Sequence, residues 1–196
     1  MKRLYSVHGR LARPANVRRN MVKTLIQTLT MWGVFYGIFP AILYRIEGAS
    51  PLASYRFASR RWRRGSIILF LLGWLLGWSS AVFMVSKGQG TPLPSDATRA
   101  LVVHGPYRYV RNPMAIGSFA QGIAVGTFFG SPTIVAYVLT GMIGWNYFVR
   151  PWEENDLEWR FGPPYAHYRD NVRCWIPHLH AYQPEIDNTV VRRIEG

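Results

Sequence analysis

The chain has 196 residues, a mean hydropathy of zero and a formal net charge of +13. This length is typical of one domain, and a single cysteine, Cys174, excludes an intramolecular disulfide and a four-thiolate zinc site. The positive charge does not predict nucleic-acid binding, because the basic residues flank long apolar runs, as in membrane proteins that contact anionic lipids.

The first two apolar runs predict membrane spans. A basic segment, residues 1–23, holds seven Lys and Arg residues and precedes a charge-free run of 21 residues, 24–44. Such a run makes about 30 Å of helix, which matches the hydrocarbon thickness of a bilayer. It is too long for a signal-peptide core, so we expect a retained span that is kinked near Pro40. Residues 66–86 predict a second span, and residues 88–99, rich in Gly and Pro, predict an irregular connector.

The next apolar stretch predicts a helical hairpin. Residues 115–149 carry no charge, and 35 residues are more than one span requires. Gly130-Ser131-Pro132 predicts a tight turn between two arms, residues 114–129 and 132–149. Gly122, Gly126 and Gly130 recur at helical spacing, which favours close approach of helix backbones. We therefore expect one all-α domain over residues 1–196, an integral membrane bundle with about four transmembrane spans within residues 24–151.

The C-terminal segment and the distribution of charge predict the orientation. Residues 152–196 are polar, and we expect a cytosolic cap with two short helices, 152–161 and 164–172. Four spans place both termini on one side, and the terminal segments with the 87–112 connector hold 17 of the 23 Lys and Arg residues. The positive-inside rule then predicts cytosolic termini. The 45–65 loop, with six arginines, conflicts with this orientation. Either the loop is a tolerated violation, or it lies in the cytosolic interface and the span count is wrong.

Two polar segments flank the hairpin and would meet at its open, cytosolic end. The first, residues 104–113, reads HGPYRYVRNP, and the second begins at Arg150 with RPWEENDL. Arg150 lies four residues before Glu154, so the two side chains can pair on one helical face. Glu153 points about 100° away from Glu154 and can face a different environment.

The order of these motifs resembles the isoprenylcysteine carboxyl methyltransferase family and its phospholipid N-methyltransferase relatives. The shared elements are GPYRYVRNP, a glycine-rich apolar hairpin, R-x-x-E-E-x-x-L, F-G-x-x-Y-x-x-Y and I-P, over roughly residues 100–177. The resemblance implies a membrane enzyme that uses S-adenosylmethionine. It further implies that the cofactor lies between residues 104–113 and the C-terminal helices, while a lipophilic small-molecule or lipid substrate enters from the bilayer.

The resemblance also assigns residues to the site. The positions that it implies for cofactor binding are His104, Gly105, Tyr107, Arg111, Asn112, Pro113, Met114, Glu154, Tyr165 and Tyr168. The implied catalytic positions are Arg150, Glu153 and Glu154. The chain departs from the family pattern at Asn112, commonly histidine, and at Ala115, commonly tyrosine. Asparagine can form hydrogen bonds but cannot titrate near neutral pH, so position 112 cannot act as a base. No metal is expected, because His178 and His180 lack a third ligand at a recognisable spacing.

The acceptor class stays open between two chemistries. Methyl transfer from a sulfonium is an in-line displacement that a protein promotes by alignment and by excluding water. A carboxylate acceptor needs only an orienting cation such as Arg150 or Arg111, whereas an amine must first lose a proton to Glu153 or Glu154. The sequence favours carboxylate O-methylation over N-methylation of a phospholipid or lipid amine. A reductase of the sterol-reductase type and a non-enzymatic membrane scaffold are the alternatives outside this class.

Overall fold

The computed structural model of the protein describes residues 17–91 and 98–184. Within these ranges all regular structure is helical, which confirms the all-α prediction. The helices are α1 (Val17–Trp32), α2 (Phe39–Gly48), α3 (Arg60–Gly88), α4 (Pro113–Phe129), α5 (Pro132–Gly144), α6 (Arg150–Phe161) and α7 (Pro163–Asn171). Turns of π-helix occupy Gly33–Ile38 and Trp145–Val149, and 3₁₀ turns occupy Pro51–Tyr55 and Gly105–Arg108. Most of the predicted basic N-terminal segment, part of the 88–99 connector and the last residues of the predicted cap lie outside the described residues.

Each π-helical turn directly precedes a proline. Proline lacks an N–H and crowds the preceding turn of an α-helix, and a wider turn relieves both problems. Before Pro40, the N–H of Phe39 bonds to the carbonyl of Val34, five residues back. Before Pro151, the N–H of Arg150 bonds to the carbonyl of Trp145 in the same way. α5 therefore continues through the π turn into α6, and the helix predicted for residues 152–161 begins instead at Arg150, without a break after the hairpin.

Two helices of the described ranges are long and apolar enough to cross a membrane, Val17–Gly48 and Arg60–Gly88. They contain the predicted spans 24–44 and 66–86. The arginines at positions 60–64 form the first turns of α3 rather than a loop. α4 is apolar but has only 17 residues, so length and composition alone support two of the four predicted spans.

The tip of the predicted hairpin is present and is held by a buried carboxylate. Glu47, at the end of α2, accepts hydrogen bonds from the Ser131 hydroxyl (2.5 Å) and from the Arg56 guanidinium (2.7 Å). The Phe57 N–H donates to the carbonyl of Gly130 at 3.0 Å. The loop before α3 therefore packs against the hairpin tip, at the C-terminal end of α4.

Glycines set the distance between α4 and its neighbours. A Cβ on Gly122 would lie 2.9 Å from the Val138 side chain of α5, as the sequence predicts for closely packed arms. The closest backbone approach is to α3, where a Cβ on Gly117 would lie 2.6 Å from the carbonyl oxygen of Gly73 and 3.0 Å from the nitrogen of Gly77. This contact fixes the middle of α3 beside the first turns of α4.

Candidate active site

A polar cavity lies at the N-terminal end of α4, where the open end of the hairpin meets the C-terminal helices. It contains about 560 Å³ of empty space, a figure that includes the part open to solvent. Its lining residues come from the end of α3, the segment before α4, α6, α7 and the residues after it. They are Met84, Thr98, Leu101, Val102, Tyr107, Arg111, Asn112, Arg150, Glu153, Glu154, Leu157, Phe161, Tyr165, Tyr168 and Cys174.

Glu154 is paired with two arginines in this cavity. The Glu154 carboxylate accepts from Arg111 at 2.7 Å and from Arg150 at 3.1 Å, and all three side chains are at most 30% exposed. The predicted Arg150–Glu154 pair is therefore confirmed. Arg150 also donates to the side-chain oxygen of Asn146 at 2.9 Å. This network fixes the positions of both guanidinium groups.

Further hydrogen bonds join the segment before α4 to the C-terminal helices. The Arg111 N–H donates to the carbonyl of Arg173 at 2.9 Å, and the Tyr168 hydroxyl donates to the carbonyl of Tyr107 at 2.6 Å. Tyr168 packs with Tyr165 in a buried cluster. The expectation that the two polar segments meet is confirmed.

Glu153 differs from its neighbour in having no partner. No described residue donates a hydrogen bond to its carboxylate or forms an ion pair with it. Burial, and after it the nearby charges of Glu154 and Asp156, together raise the pKa of the Glu153 carboxyl from 4.5 to about 7. Glu153 can therefore gain or lose a proton near neutral pH, whereas the Glu154 carboxylate is paired with two arginines.

The remaining polar groups of the cavity are hydrogen-bond donors. The Tyr107 hydroxyl and Arg111 Nε are buried and have no hydrogen-bond partner among the described residues. Burial raises the pKa of Tyr165 to about 12 and also raises the pKa of Tyr168, so both hydroxyls stay protonated at neutral pH. A ligand with several acceptor oxygens or nitrogens would satisfy this set.

Most of the predicted site residues line the polar cavity, and four do not. The lining members are Tyr107, Arg111, Asn112, Arg150, Glu153, Glu154, Tyr165 and Tyr168. Of the others, His104 is exposed and Pro113 is buried in the first turn of α4. Gly105 adopts a φ of 57° against the Phe83 ring, so the structure gives it a backbone role. Met114 lines a second cavity, described below.

Asn112 has a structural role that explains why asparagine suits this position. Its side-chain oxygen accepts from the N–H of Ala115 at 3.0 Å and so caps the N-terminus of α4. Seven cavity residues were missed by the sequence reasoning. Leu157 and Phe161 follow Glu154 at helical spacing, and that periodicity could have identified them. Met84, Thr98, Leu101, Val102 and Cys174 carry no local pattern that points to a cavity; Cys174 itself is buried, as expected.

A second, apolar cavity lies between α1, α3, α4 and α5. It encloses about 1620 Å³, including the part that is open to the outside, and its walls are mainly aromatic and small side chains. The aromatic members are Trp32, Phe35, Tyr36, Trp74, Trp78, Phe119, Tyr137 and Trp145.

The two cavities adjoin each other on three elements. Arg150 lines the polar cavity and its neighbour Val149 the apolar one. On α3, Met84 and Ala81, one turn apart, line the polar and the apolar cavity respectively. At the start of α4, Asn112 lines the polar cavity and Met114 lines the apolar one. A ligand in the polar cavity and the end of a ligand in the apolar cavity would therefore lie next to each other.

Two comparisons with known proteins agree with this arrangement. Residues 62–163, about half of the chain, match the model of the phospholipid methyltransferase family. A solved structure of the eukaryotic intramembrane Ras methyltransferase, isoprenylcysteine carboxyl methyltransferase, has a similar fold, with a TM-score of 0.55 and 22% sequence identity. The match covers 76% of this chain and 53% of that one, so this chain spans about half the length of the structure that it resembles. No curated protein matches the sequence.

Proposed function

Because the chain belongs to the phospholipid methyltransferase family, we propose that it transfers a methyl group from S-adenosylmethionine to a lipid acceptor in the membrane. The observation that carries this proposal is the contact between a polar cavity with unpaired hydrogen-bond donors and an apolar cavity inside the helix bundle. Methyl transfer to a lipid requires a water-soluble donor and a membrane-embedded acceptor to meet at one point, and adjoining cavities supply that point.

The donor groups of the polar cavity are complementary to S-adenosylmethionine. The unpaired donors at Tyr107 and Arg111 match the carboxylate, hydroxyl and ring-nitrogen acceptors of this cofactor. Arg111, Arg150 and Glu154 would hold it, and the tyrosines of α7 would exclude water from its binding site. When bound, the cofactor supplies a methyl group on a positively charged sulfonium, which is activated for displacement without further help.

The pairing of the charged residues favours an amine acceptor. Arg111 and Arg150 both donate to the Glu154 carboxylate, and the unpaired Arg111 Nε is already assigned to the cofactor, so neither guanidinium is reserved for an acceptor carboxylate. Glu153 is the carboxylate without a partner, and it can take up the proton that an ammonium acceptor must lose. The nitrogen lone pair is then available to form the N–C bond while the C–S bond breaks. The arrangement thus supports N-methylation, in preference to the O-methylation that the sequence favours.

We place the polar cavity on the cytosolic side of a four-span protein. The two long helices and the two arms of the hairpin would cross the bilayer, with α4 and the segment Pro132–Val149 as the shorter spans. The polar cavity would then lie on the same side of the membrane as the termini and most of the basic residues. The arginines at positions 60–64 lie at the opposite end, so they are the tolerated violation of the positive-inside rule, and they would contact anionic head groups there.

Binding and transfer can be tested separately. We expect calorimetric titration of the purified protein in detergent to show binding of S-adenosylmethionine and of its demethylated product. Membranes that contain the protein should transfer a radiolabelled methyl group from this donor to a lipid, and the label should be stable to base, as an N-methyl group is. A base-labile label would show an ester and hence a carboxylate acceptor. Absence of binding would overturn the methyltransferase proposal and leave a membrane scaffold.

A further inference from the structure

The apolar cavity contains two amide side chains that lack hydrogen-bond partners. Gln121 of α4 is 3% exposed, and its amide nitrogen has no partner among the described residues. Gln27 of α1 lines the same cavity, and its amide oxygen is likewise buried and unpaired. Buried polar groups are almost always paired, because an unmade hydrogen bond in an apolar interior is costly. Two unpaired amides on the wall of one cavity therefore require an explanation.

Packing fixes the position of Gln121 at the cavity wall. A Cβ on Gly73 would lie 3.0 Å from Gln121 Cγ, so the stem of the glutamine rests on the backbone of α3. The surrounding wall is mainly aromatic and aliphatic, and its other amide and hydroxyl side chains form no hydrogen bond with the Gln121 amide nitrogen. The backbone groups near Gln121 belong to helices whose hydrogen bonds are internal. The partner for the amide must consequently come from whatever occupies the cavity.

The depth of Gln121 indicates which part of an occupant it meets. It lies nine residues beyond Asn112 along α4, which is about 13 Å at the rise of an α-helix. An acceptor whose head group reaches the polar cavity would present, at this depth, the region where a phosphorylated head group and glycerol end and the hydrocarbon chains begin. Glycerolipids carry their acyl ester carbonyls in this region.

We propose that Gln121 is a specificity-determining residue whose amide N–H donates a hydrogen bond to an oxygen of the acceptor lipid between its head group and its tails. This proposal rests on the proposed function, which identifies the apolar cavity as the binding site of the acceptor. Gln121 would select lipids with an acyl ester or a comparable oxygen at that depth. Lipids with an uninterrupted hydrocarbon tail are disfavoured, because they would leave the Gln121 amide nitrogen unpaired.

The tryptophans of the cavity provide a binding assay that does not depend on catalysis. Trp32, Trp74, Trp78 and Trp145 line the cavity, so a lipid with brominated chains should quench their fluorescence when it binds. The purified protein in detergent would be titrated with brominated diacyl phosphatidylethanolamine and with the matched dialkyl ether lipid, whose ether oxygen is a poorer acceptor than an ester carbonyl. A third ligand with a chain hydroxyl at the same depth distinguishes an ester requirement from a general oxygen requirement.

The expected result is a five- to tenfold tighter binding of the diacyl lipid, the effect of about one hydrogen bond. Gln121→Met, which preserves the length of the side chain, should bind both lipids equally. Gln27→Leu should keep the preference, because the unpaired atom of Gln27 is an acceptor oxygen that an ester carbonyl cannot satisfy. Thr140→Val, on the exposed face of α5 outside the cavity, is the matched control and should keep the preference.

Either of two results would overturn the proposal: equal affinity of the unmodified protein for both lipids, or an unchanged preference in Gln121→Met. The second would mean that water satisfies the amide. Thermal unfolding of the ligand-free protein tests whether Gln121 has a structural role instead. Because Gln121→Met removes an unpaired group, it should not lower the melting temperature. A selective lipid site without any methyl transfer would disprove the proposed function and leave lipid recognition by Gln121 standing.

Discussion

Arg111 and Glu154 are 43 positions apart in the sequence, yet their side chains form an ion pair of 2.7 Å in the wall of the polar cavity. The hairpin of α4 and α5 makes this contact possible, because it returns the chain to the end of the bundle at which it left. Arg150 pairs with the same carboxylate from one turn away, so Glu154 fixes both guanidinium groups. The geometry of the site therefore depends on this carboxylate.

We expect Glu154→Gln to weaken S-adenosylmethionine binding at least tenfold, about 1.4 kcal/mol, since both arginines lose the anion that positions them. Isothermal titration calorimetry in detergent measures this change. Glu158→Gln is the matched control, because Glu158 pairs with Arg169 outside the cavity and its removal should change the affinity by less than about twofold. Equal losses in the two variants would show that the Arg111–Glu154 pair has no special role.

Glu153 should determine the pH dependence of transfer to an amine. If its carboxylate accepts the proton of an ammonium acceptor, the rate at saturating donor should rise with pH through about 7 and then level off. In Glu153→Gln the rate should be at least about 100-fold lower and should lose this rise. Rates would be measured with a radiolabelled donor between pH 5.5 and 8.5. A profile that Glu153→Gln leaves unchanged in shape would assign the proton transfer to another group.

The same carboxyl should also affect stability, with a defined sign. Its pKa is raised in the folded state from 4.5 to about 7, so the folded protein binds the proton more tightly than the unfolded chain. The stabilising contribution is complete below pH 4.5 and is lost as the pH rises to 7, by on the order of 3 kcal/mol. Denaturation in detergent at pH 5 and pH 7.5 should show a smaller difference for Glu153→Gln than for the unmodified protein, while Asp170→Asn, an exposed control, should not change it.

The sequence predicted those features of the fold and the site that depend on local pattern. Apolar run length placed the first two spans, the Gly-Ser-Pro sequence placed the hairpin tip, and helical spacing predicted the Arg150–Glu154 pair. It could not predict that α5 and α6 form one helix, because the π turn that accommodates Pro151 has no signature distinct from a helix end. It also could not predict that Glu153 is unpaired, because this depends on Arg111, which is distant in sequence, pairing with Glu154 rather than with Glu153.

The close approach of α3 and α4 should depend on Gly117. A Cβ at this position would lie 2.6 Å from the Gly73 carbonyl oxygen, so Gly117→Ala requires the two backbones to separate. We expect this substitution to destabilise the protein by about 1–3 kcal/mol, measured by thermal unfolding in detergent. Gly65→Ala is the matched control, because a Cβ there meets nothing within 4 Å, and the same change in an exposed helix should be neutral or stabilising. Comparable effects in both variants would mean that the contact does not limit stability.

The proposed orientation can be tested with single cysteines in a Cys174→Ala background. Asn171 is exposed at the cavity end of the molecule, and Tyr55 is 69% exposed in the loop beside the hairpin tip. In cells, a membrane-impermeant maleimide added from outside should label Tyr55→Cys, while Asn171→Cys should react only after the membrane is permeabilised. This outcome follows because an odd number of crossings separates the two positions in the four-span arrangement. If the external reagent labelled neither cysteine, the arginine-rich loop would lie on the cytosolic side and the four-span arrangement would be wrong. Labelling of Asn171→Cys alone would invert the orientation and place the polar cavity away from the cytosolic supply of S-adenosylmethionine.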